Sequence, residues 1–191
     1  SGVQAMGQIA RYITINVSSP NTPGLRGLQD KGALDDLLAA VAEVQSSRPI
    51  FLKVAPDLGE DDPERIVRAA VDRGIDAIIV GNTTVTRPPL RSKHAQESGG
   101  LSGAPLKPLA LEMLRRFRAA SGGEIRLIAA GGIATAEDAW ERIRAGASLV
   151  QLYTAMVYDG PGIARRMSFG LARIMRREGI ANIADAIGSG T

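Results

Sequence analysis

Five short apolar runs punctuate the chain: 12–16, 50–54, 77–80, 125–130 and 148–153. Their lengths suit strands, and β-branched residues are frequent in them. Most are apolar at consecutive positions, as in strands covered on both faces. Between them the spacing of apolar residues changes to three and four, the period of one helical face. Leu34, Leu37, Leu38 and Val41 carry it over 33–44, and Ile66, Val67, Ala70 and Val71 over 63–73. Leu111, Leu114 and Phe117 carry it over 109–120. A further helix is predicted from an N-cap at Thr135, with Asp138 three residues on, to Ala145, and a last one over 163–178. Gly74 and Gly146 fall where two of these helices stop. Residues 85–105 hold no period, and a loop this long is usually functional or disordered.

Strands alternating with helices predict an α/β fold with a parallel sheet. No linker divides the chain, so residues 1–191 read as one domain. Arg73-Gly-Ile-Asp-Ala-Ile-Ile-Val80 and Arg144-Ala-Gly-Ala-Ser-Leu-Val-Gln151 echo each other as helix end, Gly and strand. In parallel α/β folds ligands bind at the C-terminal ends of the strands. Here those ends carry Asn16 with the loop Ser18-Ser-Pro-Asn-Thr22, then Lys53, Asn82-Thr-Thr84, Gly131-Gly132 and Tyr153-Thr154. Lys53 either snorkels to the rim or faces an anion or an electron-rich ring, because a buried cation needs a partner. Asn16 and Asn82 suit turns, and together they suit a planar ligand with carbonyl and N–H edges. Gly131-Gly132, just before a capped helix, either turns the chain or offers bare N–H groups to a phosphate. Gly99-Gly-Leu-Ser-Gly103 could add donors or be a plain loop.

Composition narrows the field. The chain is 45% hydrophobic and 23% charged, a globular balance. No apolar run approaches the ~18 residues of a membrane span, and no secretory signal is visible at the start, which is Ser1. There is no Cys and one His, His94. Thiolate sites, His-rich metal sites and Ser-His-Asp triads are therefore not expected. A net charge of +3 with 4% aromatics gives no footprint for nucleic acid. Gly is abundant, at 22 of 191 residues, and many of these glycines sit where apolar runs stop. Arg165, Arg166, Arg173, Arg176 and Arg177 line the last helix, opposite an apolar face of Ala164, Met167, Leu171 and Ile174. That helix either packs outside the sheet or lies on a membrane surface.

Asn16-Val-Ser-Ser-Pro-Asn-Thr-Pro-Gly-Leu-Arg-Gly-Leu-Gln29 closely resembles the signature loop of class 2 dihydroorotate dehydrogenases. Lys53-Val-Ala-Pro-Asp57, Asn82-Thr-Thr84, Gly99-Gly-Leu-Ser-Gly103, Ala145-Gly-Ala-Ser-Leu-Val-Gln-Leu-Tyr-Thr154 and Asp185-Ala-Ile-Gly188 follow in that family's order. The resemblance implies a (β/α)8 TIM barrel of which this chain holds the last five βα units. A whole barrel takes about 250 residues. Residues 1–191 would be the C-terminal part of a single FMN-binding barrel domain, and the membrane-associating segment would lie outside the chain. The implied activity is FMN-dependent oxidation of dihydroorotate to orotate in pyrimidine synthesis, with electrons passing to a membrane quinone. The enzyme would sit peripherally on the cytoplasmic side of a bacterial inner membrane, or on the mitochondrial inner membrane of a eukaryote.

In the family a hydride passes to the flavin while a base on the other face takes a proton from the adjacent carbon. Ser19 matches the base, and Thr22 would help relay the proton away. Asn16, Asn21, Asn82 and Thr83 would hold the substrate, with Asn16 also near the cofactor. Lys53 would stabilise the reduced flavin. Gly103, Gly132, Tyr153 and Thr154 would hold its phosphate and ribityl chain. Gly81 stands where some relatives carry Thr and would touch the cofactor through backbone. Two alternatives stay open on the residues alone: a phosphate-binding barrel isomerase or lyase without flavin, and an inactive portion of the dehydrogenase.

Overall fold

The computed structural model describes residues 2–44 and 46–190. After a short helix α1 (Gly2–Gly7), the predicted alternation appears in order: β1 (Ile13–Asn16), α2 (Lys31–Ala42), β2 (Ile50–Val54), α3 (Asp62–Asp72) and β3 (Ala77–Val80). Then come α4 (Lys107–Ser121), β4 (Arg126–Ala130), α5 (Ala136–Arg144), β5 (Ala147–Gln151), α6 (Thr154–Asp159) and α7 (Ile163–Glu178). The capping box foreseen at Thr135 is formed: its side chain accepts from the Asp138 N–H, and the Asp138 carboxylate accepts from the Thr135 N–H. Residues 85–103 stay largely irregular, pinned by an antiparallel bridge between Thr84 and Leu101.

The strands form one parallel sheet in the order β1-β2-β3-β4-β5. That order decides the winding. A doubly wound sheet reverses its order at a switch point and puts helices on both faces. Here the main core holds Leu52, Val54, Ile78, Val80, Leu127 and Ala129 from the strands. It meets them with Leu34 and Leu38 of α2, Ile66 and Ala70 of α3, and Leu114 and Phe117 of α4. The opposite face carries a separate small cluster of Ala77, Ile79 and Ile128, flanked by Phe51 and Ala130, with no helical residue. Helices on one face of a sequential parallel sheet make the arc of a (β/α) barrel, with the second face as its interior.

Pairing runs Asn16 to Lys53, Lys53 to Ile79, Ile79 to Ile128, and Ile128 to Leu149. One row of side chains therefore crosses the interior face, with Asn16 and Lys53 at one side of it.

The outer layer corrects one expectation. On α7 the buried residues are Ile163, Met167, Gly170 and Ile174, whereas Ala164 is exposed. The stripe is turned by one position because α7 packs on α5 through its glycine. A Cβ on Gly170 would lie 2.4 Å from the Ala136 Cβ, so the helices approach too closely for a larger residue. The arginines of α7 face outward, and Arg165 lies over the exposed Phe169 ring at 5.4 Å.

Candidate functional site

The polar residues after β1 and β3 are wired together through one hydroxyl. Ser18, fully buried, donates its Oγ–H to Asn16 Oδ1 at 2.6 Å and accepts from Asn82 Nδ2 at 2.7 Å. The Asn16 Oδ1 also takes the Ser18 N–H, and the Asn82 Oδ1 takes the Thr83 N–H. Both amides are thus fixed in orientation, leaving the Asn16 Nδ2 group for a ligand. Ser19 follows at once, half-buried, and among the described residues its Oγ accepts only the Asn21 N–H, at 3.3 Å. Asn21 and Thr22 are exposed, and among the described residues no hydrogen bond joins Thr22 to Ser19.

The long loop closes onto the same place. A Cβ on Gly100 would overlap Thr83 Oγ1, at 1.9 Å, and come within 3.1 Å of Pro20. Only bare backbone fits between the Ser19 loop and Thr83. The loop then reaches the last strand end, where Thr154 Oγ1 donates to Ser102 Oγ at 3.1 Å. A Cβ on Gly103 would sit 3.2 Å from Thr154.

Lys53 projects from the interior face beside Asn16. Burial pushes its ammonium below the usual lysine value. Among the described residues no carboxylate pairs with it. Gly81 closes β3 against the Ala130 carbonyl, which a Cβ would approach to 2.3 Å. Gly132, with φ of +71°, lies on the first residue of α4, where a Cβ would be 2.5 Å from the Lys107 Cα. Among the described residues, the N–H groups of Gly103 and Gly132 find no acceptor. The N–H groups of Ala134 and Thr135 before α5 are taken by the Asp138 carboxylate, and that of Asp138 by the Thr135 hydroxyl. Tyr153 is largely exposed.

Three residues given no role of their own from the sequence organise the site: Ser18, Arg26 and Asp57. Arg26 and Asp57 form a partly buried ion pair at 2.8 Å. Burial pushes the Asp57 carboxyl up, but hydrogen bonds from Thr84 and Arg26 more than offset this, and it ends below the ordinary carboxylate value. The signal for Ser18 was the doubled serine after a strand. Arg26 and Asp57 stand inside the family motifs quoted above but carried no role there, since their partners are distant in sequence. A second network, Lys107 with Asp138 and Arg142, underlies Gly131-Gly132: the buried Arg142 donates to the carbonyls of Lys107, at 2.8 Å, and Gly131, at 3.4 Å.

Comparison with known proteins places the chain in a family. Residues 1–175 match the dihydroorotate dehydrogenase family. The dihydroorotate dehydrogenase (quinone) of Sphingopyxis alaskensis is 61% identical over 99% of this chain and 54% of its own length. That of Novosphingobium aromaticivorans is 60% identical over 96% of this chain and 53% of its own. A crystal structure of DHODH from Eimeria tenella in complex with ferulenol superposes with a TM-score of 0.91 at 40% identity, covering 98% of this chain and 56% of that one. The chain thus spans about half the length of the curated relatives it matches. It belongs to the dihydroorotate dehydrogenase family.

Proposed function

We propose that the protein of which these residues are part oxidises dihydroorotate to orotate with FMN and passes the electrons to a membrane quinone. The observation that carries this is the hydrogen-bonded chain Asn16–Ser18–Asn82 set against the Ser19 loop. It presents oriented amides next to a hydroxyl that has an open coordination site, as a planar ring substrate losing a proton requires. A phosphate-binding isomerase would need the glycine donors but not this chain.

The residues fit FMN. The open N–H groups of Gly103 and Gly132 suit its phosphate, with Thr154 and Tyr153 alongside and the Gly81 backbone near the ring system. Lys53, desolvated and without a carboxylate partner among the described residues, suits an anionic ring. When bound, FMN supplies the hydride acceptor. Asn16, Asn21, Asn82 and Thr83 hold the substrate ring and carboxylate. Ser19 Oγ takes the proton from the carbon next to the hydride donor, and Thr22 helps pass it to solvent. A serine hydroxyl is a weak base at neutral pH, so it acts through geometry and relay. The same proposal puts the enzyme peripherally at the inner membrane, with membrane contact made by residues outside this chain. Among the described residues no helix is long and apolar enough to cross a membrane.

In the full-length protein, Ser19→Ala should lower turnover with dihydroorotate by roughly 100-fold or more, the usual scale of a lost general base, with FMN content and spectrum unchanged. Near-normal turnover in that variant would remove Ser19 from the mechanism.

A further inference from the structure

Arg26 sits seven residues past Ser19 on the 3-10 turn Leu25–Gln29. Its guanidinium is held in three directions. Nε donates to the Ser18 carbonyl at 3.0 Å, Nη1 to Asp57 Oδ2 at 2.8 Å, and Nη2 to the Thr83 carbonyl at 2.9 Å. A planar fork fixes its donors at set angles, so the three acceptors cannot shift independently. Two of them flank the chemistry: Ser18 precedes Ser19, and Thr83 follows Asn82. The third is anchored in turn. Asp57 accepts from Thr84 Oγ1, from the Val85 N–H at 3.2 Å and from Thr86 Oγ1 at 3.2 Å, so it also holds the root of the long loop. The Arg26 and Asp57 side chains are 22% and 15% exposed, which limits the solvent screening that makes surface pairs weak.

We infer that Arg26, braced by Asp57, is a positioning residue that sets the Ser19 hydroxyl against the substrate by fixing the Ser18 carbonyl relative to Thr83. The inference rests on the dehydrogenase function proposed above. The loop that takes the proton and the loop that holds the ring come from different strand ends, and among the described residues Arg26 is the side chain that bonds to both backbones. Lysine in its place keeps the charge but offers a single compact ammonium, which cannot span three acceptors. Loss of the fork loosens the proton-accepting side, whereas Lys53 and the glycine donors, on other elements, are untouched.

The test uses the full-length, FMN-loaded enzyme, its R26K and D57N variants, and anaerobic rapid mixing with dihydroorotate, followed by flavin bleaching. Substrate is deuterated either at the carbon that gives up the proton or at the carbon that gives up the hydride. The expected result for R26K is a 10- to 100-fold slower reduction, the scale of a misplacement of about 1 Å. The isotope effect at the proton-losing carbon rises relative to that at the hydride-losing carbon. FMN content is kept, and orotate affinity falls by less than the rate of reduction does. D57N follows in the same direction and carries the test if R26K does not fold. A wild-type rate, an unchanged isotope pattern, or a parallel loss of FMN and orotate binding in both variants overturns the positioning role. Wild-type enzyme that holds FMN but is not bleached by dihydroorotate overturns the dehydrogenase function instead.

Discussion

Lys53 is costly to the fold and, on the function proposed above, useful to the site. Burial lowers its pKa, so the folded state holds the ammonium at a penalty. That penalty is present at every pH below the folded value and fades as pH rises through it toward 10.5, the ordinary lysine value. An anionic ring beside the ammonium would reverse the shift. Lys53→Met should therefore leave the cofactor-free protein as stable as before or more so, by up to about 1–2 kcal/mol, as when buried charges give way to apolar groups. In the FMN-loaded enzyme the same change should make the flavin harder to reduce, read as a lower midpoint potential in a dye-coupled titration. A potential unchanged by the substitution would separate Lys53 from the cofactor. Lys53, Asn16 and Asn82 were legible in the sequence because each interrupts an apolar run at a strand end. The roles of Ser18, Arg26 and Asp57 were not, since these lie in bonds to residues 64, 57 and 31 positions away. No local pattern encodes such a bond.

At the scale of elements, apolar runs located the five strands, helical periodicity located α2, α3 and α4, and a capping pattern located α5, because each is a local feature that the sequence must carry. Its misses have physical causes. The helix α6 has no buried residue and only six positions, too few for a period to show. On α7 the expected stripe included Ala164, but contact with α5 chose the glycine face instead. A small residue at Gly170 reads in sequence as a helix defect, worth about 1 kcal/mol against Ala. In the packed pair the balance reverses, because a methyl group there meets the Ala136 methyl at 2.4 Å. Overpacking costs typically 1–3 kcal/mol, more than the propensity gained. Gly170→Val, with a branched side chain, should be worse than Gly170→Ala, and both should lower the urea midpoint of unfolding. A stabilised Gly170→Ala would show that α7 can slide away from α5 at little cost.

Across the whole molecule, two carboxylates each tie loops along the rim of strand ends. Asp57 gathers Arg26 and residues 84–86, and Asp138 gathers Lys107 with the N–H groups of Ala134 and Thr135. For each, burial pushes the carboxyl up while the hydrogen bonds bring it to a net value below the ordinary 3.8. A depressed carboxyl adds stability that is fully present above the unfolded value and is lost as pH falls through the folded one. The acid limb of the stability curve should therefore steepen below about pH 4, the ordinary carboxylate range. Lys107 works in the opposite sense. The Asp138 hydrogen bond raises its pKa, so its contribution is complete below 10.5 and disappears as pH rises through the raised value. Asp138→Asn should flatten both limbs at once, whereas Asp57→Asn should flatten only the acid one. At neutral pH each should cost about 1–3 kcal/mol, the scale of hydrogen bonds to a charged group. Urea midpoints measured from pH 3 to pH 11 distinguish the two. An acid limb as steep in the double variant as in wild type would mean that other carboxylates hold the rim.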